Sequence, residues 1–89
     1  MSGDTLAQMR ERLASLGPTH LLIEDESHLH AGHAGARSGG GHYRLEIVAT
    51  VFAGKNTVAR HRLIYDALGD MMRGAIHALS INAQAPQDV

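Results

Sequence analysis

The stretch HYRLEIVATV, residues 42–51, constrains the fold more than any other part of this chain. Tyr43, Leu45, Ile47, Ala49 and Val51 take alternate positions, with His42, Arg44, Glu46 and Thr50 among the places between. Successive side chains of a strand point to opposite faces, so this spacing predicts a half-buried antiparallel strand. Its apolar face needs a second layer to cover it.

The flanking segments supply that layer and the partner strands. Leu6, Met9, Leu13 and Leu16 recur at helical spacing, with Arg10, Glu11 and Arg12 on the other side. Asp4 or Thr5 is placed to cap this helix, and Gly17-Pro18 is a strong stop. HLLIED, residues 20–25, reads as a first strand that runs into the acids Glu24, Asp25 and Glu26. A second helix is expected over 57–73, its apolar side made by Val58, His61, Ile64, Tyr65, Leu68, Met71 and Met72. Gly74 is its expected cap, and the stretch could be broken into a short turn and a longer helix. IHALSINA, residues 76–83, alternates again, with His77 in phase with Leu79 and Ile81. The expected order is α-β-β-α-β: one α+β domain over 1–89, core about 5–86, with helices on one face of the sheet. Residues 84–89 read as a polar tail.

Between the first two strands lies a long segment, 27–41, too rich in glycine to hold regular structure cheaply. Within it HLHAGHAG places His28, His30 and His33 in eight residues. Long connections inside compact domains are often functional. The chain has no cysteine, which excludes disulfides, thiol catalysis and any thiolate metal site of its own making. A soft-metal site here must use histidine or borrow ligands from another molecule. In an extended segment His28 and His30 would point the same way, so a surface zinc or nickel site is an alternative.

Composition narrows the function classes. Eight Lys and Arg stand against nine Asp and Glu, a net charge of −1, without the basic excess usual for a nucleic-acid binder. No apolar run approaches the ~20 residues of a spanning helix, and no secretory signal opens the chain, so cytoplasmic location is expected. No Ser/His/Asp constellation, phosphate loop or usefully paired carboxylates point to an enzyme.

Four motifs then occur in order: the aromatic-led strand GGGHYRLEIV, Phe52-x-Gly54, Arg60-His61-Arg62 and His77-Ala78-Leu79-Ser80. With EDESHLHAGH and FAGKNTVARHRLIYDAL, they make the chain resemble the BolA family over roughly residues 5–86. That resemblance implies a fold related to the type II KH domain, a three-stranded mixed sheet with helices on one side. It also implies a heterodimer with a monothiol glutaredoxin and a shared [2Fe-2S] cluster. The glutaredoxin gives a cysteine, bound glutathione gives another, and the BolA-like chain gives the remaining ligands. The family is associated with iron homeostasis, stress response, morphology and transcription regulation.

The family's ligand on the last strand corresponds to His77. Its loop ligand corresponds to His30 when aligned from the acidic side and to His33 when aligned back from His42. An iron held by two imidazoles beside a thiolate-bound iron resembles a Rieske centre. Imidazole binds metal only when deprotonated, so affinity is expected to fall below about pH 6.5. His61 is read as a packing residue, and His42 and His20 as structural.

The rival reading is a KH-like DNA- or RNA-binding regulator. Residues 32–35, GHAG, fit the GxxG pattern, but they lie between two strands where a KH domain needs a turn between helices. Aromatics make up only 3%, which leaves little on which to stack bases. Lys55, Arg60 and Arg62 form the compact basic cluster, able to meet glutaredoxin, glutathione or nucleic acid. The plain alternative is a solvated face with Arg62 and Asp66 at i, i+4 spacing.

Overall fold

The structure is a computed structural model and describes residues 2–27 and 41–89. The expected order holds: α1 (Ser2–Leu13), β1 (His20–Asp25), β2 (Gly41–Val48), α2 (Thr57–Leu68) and β3 (Ile76–Gln84). The described strands form a three-stranded mixed sheet in the order β1-β2-β3. β1 pairs antiparallel with β2, and β2 pairs parallel with β3. A parallel neighbour cannot be reached by a tight hairpin, so α2 carries the chain back across the sheet.

The core lies between the sheet and the two helices. Met9 and Leu13 of α1, Leu45 and Ile47 of β2, and Ile64 and Leu68 of α2 are fully buried there. Leu6 and Leu16 flank them, as their spacing predicts. α1 starts at Ser2, earlier than a cap at Asp4 or Thr5 would allow. Asp4 instead sits in the first turn, where a carboxylate suits the helix dipole. A single 3-10 turn, Ala14–Leu16, ends on Gly17 at φ 65°, and Gly17 N–H donates to the Ala14 carbonyl. Arg12 does not face solvent idly. Its Nη1 donates to the Leu68 carbonyl at 2.6 Å and to Asp70 Oδ1 at 2.8 Å, tying α1 to the end of α2.

Three expectations from periodicity need correction. The alternation of the central strand stops early: a 3-10 turn, Thr50–Phe52, exposes Val51 and buries Phe52 completely. A period of two cannot continue through a turn with a period of three. The second helix likewise ends at Leu68, with Gly69 at φ 57° as its cap, and continues as a 3-10 segment, Gly69–Arg73, which Gly74 closes. Val58 and Tyr65, expected on the apolar side, face outward.

The third correction concerns β3. Gly41 pairs with Ile76, but the next residue, His42, pairs with Ala78, so β3 carries one extra residue. Such a bulge re-aims a side chain. Ile76 is buried and Leu79 and Ile81 pack on the core, while His77 is turned to the solvent. It is therefore out of phase with Leu79 and Ile81.

Candidate metal centre

His42 and His77 meet where β2 and β3 begin. Their ring centroids lie 5.2 Å apart with the planes tilted by 46°. His42 stands on the face of β2 that carries Arg44 and Glu46, away from the helices. Its Nε2 is shielded from solvent. Its backbone N–H donates to Ser27 Oγ at 3.1 Å, and its carbonyl accepts from the Glu26 N–H at 2.7 Å. Ser27 N–H in turn donates to Asp25 Oδ1. On the other side, Gly41 N–H donates to the Ala75 carbonyl at 3.0 Å. The chain thus leaves β1 and re-enters β2 beside the histidine pair.

A hollow of about 360 Å³ adjoins this point, lined by Glu26, His42, Tyr43, Ala78, Leu79 and Ser80. Arg44 crosses the same face and forms ion pairs with Glu24 and, at 3.6 Å, with Glu26. These pairs neutralise much of the acidic run that ends β1. Below the pair, on the helix side, burial pushes the Tyr43 phenol above its usual range. A hydrogen bond with Thr5 opposes that shift, and the charge of Asp25 adds to it.

The structure places His77 on the exposed start of β3. His30 and His33, like His28, lie outside the described residues. His42, read from sequence as structural, is the neighbour of His77 in space. The strand alternation already put it on the open face. Its partner could not be known without the β2–β3 register and the bulge. Among the described residues, no three His, Cys, Asp or Glu side chains converge to hold a metal. The two imidazoles that meet here are by themselves short of a metal site.

The basic cluster lies at the other end of β3. Arg60 Nε donates to the Lys55 carbonyl, and its Nη1 donates to the Ala83 carbonyl at 3.0 Å and to Asp88 Oδ2 at 2.7 Å. The Asp88 carboxyl is held below its ordinary range, first by the Ala85 N–H and then by Arg60. Residues 84–89 are therefore pinned to α2. Lys55 and Arg62 remain exposed. From His77 to Ala83 the strand spans roughly 20 Å at ~3.3 Å per residue, so the two clusters are separate. His61 is half-buried, with its ring edge-on to Tyr65. His20 is exposed, with Nε2 3.7 Å from Glu46.

Comparison with known proteins gives one family. A model described as BolA-like protein matches residues 13–88. The chain is 47% identical to SufE-like protein 1, chloroplastic/mitochondrial, of Arabidopsis thaliana, covering 92% of this chain and 24% of the relative. It is 42% identical to Protein BOLA1, chloroplastic, of the same plant, over 92% of this chain and 54% of the relative. The chain thus spans about a quarter to a little over half of these relatives. Among solved structures, the BolA domain of SufE1 from Arabidopsis thaliana superposes with a TM-score of 0.81 at 45% identity, covering 93% of each chain. BolA1 from Arabidopsis thaliana gives 0.78 at 38% identity, again over 93% of each. No helix among the described residues is long and apolar enough to cross a membrane.

Proposed function

The chain belongs to the BolA-like family, and we propose that it is a non-enzymatic adaptor that pairs with a monothiol glutaredoxin and co-ligates a bridging [2Fe-2S] cluster. The observation that carries this reading is the His42–His77 pair, set between both roots of the 28–40 segment. His77 is the ligand of the final strand, and His42 steadies its ring from the neighbouring strand. His30 or His33 is the second ligand. They lie three and six residues beyond Ser27, a reach of at most about 10 and 20 Å at ~3.3–3.6 Å per residue. Ser27 itself touches the His42 backbone, so this reach suffices for His77.

With no cysteine in the chain, every thiolate comes from elsewhere: the glutaredoxin and its bound glutathione are the donors in this reading. Imidazole ligation on one iron gives such a cluster a higher reduction potential than four thiolates would. The setting is iron–sulfur or iron homeostasis, or stress regulation, in the cytoplasm. The names of two relatives are organellar, and cell fractionation tests the compartment.

The test is His77→Ala in the full chain mixed with cluster-loaded glutaredoxin. The expected result is an unchanged fold and loss of the mixed complex's visible circular dichroism. An unchanged visible spectrum overturns the reading. Separate His30 and His33 exchanges then name the loop ligand. The KH-like nucleic-acid reading draws less support, because Arg60 is engaged within the chain.

A further inference from the structure

We propose that Gly41, Tyr43 and Thr5 form a positioning device that sets the bulge presenting His77 to His42. A Cβ built on Gly41 would lie 2.6 Å from both Cε2 and Oη of Tyr43 and 2.8 Å from its Cζ. Carbon atoms in contact normally sit about 3.5–4.0 Å apart, so no side chain fits there while the ring stays in place. The ring has little freedom to move. It is 4% exposed within the core, and its hydroxyl is hydrogen-bonded to Thr5 on α1. An aromatic ring laid over a strand glycine is a known way to hold such a glycine in register.

Gly41 is also where the register changes. It makes the last rung before the bulge, through its pairing with Ile76 and its bond to the Ala75 carbonyl. The following rung joins His42 to Ala78, which leaves His77 as the extra residue. A side chain at position 41 must either lift Tyr43 off Thr5 or push the start of β2 away from β3. Either movement releases the rung that makes His77 the bulged residue. Helix α1 thereby controls an imidazole on the opposite face of the sheet.

The geometric claim stands without any metal; its consequence for ligation rests on the proposed function. The test uses the full chain. In the parent protein, ring protons of His42 and His77 should give a nuclear Overhauser effect. Gly41→Ala should keep its far-ultraviolet circular dichroism but lose most of that ring–ring signal. Adding Tyr43→Leu, which fills the core without reaching position 41, should restore at least half of it. A Gly41→Ala chain with the ring–ring signal intact overturns the proposal. Should Gly41→Ala fail to fold, the double variant decides: recovery of fold and signal supports the device, and failure of both overturns it. Visible circular dichroism with cluster-loaded glutaredoxin is the second readout. A weakened spectrum in Gly41→Ala, restored in the double variant, extends the device to ligation. A spectrum insensitive to His77→Ala removes the ligand reading and leaves the ring–ring result standing.

Discussion

The two ends of β3 use charged and titratable side chains in opposite ways. At the C-terminal end Arg60 is spent inside the molecule, on the Lys55 and Ala83 carbonyls and the Asp88 carboxylate. At the N-terminal end a bulge turns His77 outward, beside His42 and the roots of the long connection. An arginine side chain with about four-fifths of its surface covered and its Nε and Nη1 engaged holds structure together. An imidazole kept exposed on a distorted strand is available to a partner. Clustering of basic residues in sequence thus does not show which of them the fold leaves exposed.

The contrast can be broken most forcefully at Arg60. Arg60→Ala should destabilise the chain by about 2 kcal/mol, because three hydrogen bonds, one of them part-buried, and the packing of the arginine stem are lost together. Chemical denaturation measures this, and the effect on the cluster complex should follow stability alone. A loss below about 0.5 kcal/mol would erase the distinction between the two ends. His42→Ala should do the reverse. Complex formation with cluster-loaded glutaredoxin should weaken by roughly tenfold, ~1.4 kcal/mol, with a smaller change in unfolding free energy. Equal losses in both measurements would make His42 merely structural.

Replacing Lys55 and Arg62 by Gln should alter stability by no more than about 0.5 kcal/mol, as expected of exposed positions. It also sharpens the nucleic-acid alternative. Binding through this cluster alone, by its two exposed cations, gives a slope of log affinity against log salt no steeper than about −2, at ~0.9 per phosphate. A DNA titration at several salt concentrations reads that slope, and a much steeper one would revive the regulator.

The smallest effect concerns acid. The folded Asp88 carboxyl titrates below its unfolded value, so its contribution is present above about pH 3.9 and disappears as pH falls through the lower folded value. Between pH 5 and 8, Asp88→Asn should therefore shift stability by a nearly constant small amount. A difference growing across that range in parallel melts would contradict the assignment.

Most of the fold was legible from local pattern. Leu6, Met9 and Leu13 announce α1, Tyr43, Leu45 and Ile47 announce β2, and Gly17-Pro18 marks the turn between α1 and β1. The errors fall where geometry changes over a few residues: Val51 against Phe52, the end of α2 at Leu68, and His77. At each point a turn or bulge resets the phase that periodicity extrapolates. For the candidate site, His77 was legible through family resemblance, whereas His42 was not, because its partner comes from a strand 35 residues away in sequence.

The sequence by itself determined which elements form, since apolar spacing and punctuating glycines act over a few residues. It also determined that any thiolate must be borrowed, since composition does not depend on folding. Only the tertiary structure decided that Arg60 closes the C-terminal segment and that His77 faces His42. The first depends on α2 lying beside the end of β3, the second on the register between β2 and β3, and both are properties of segments in contact.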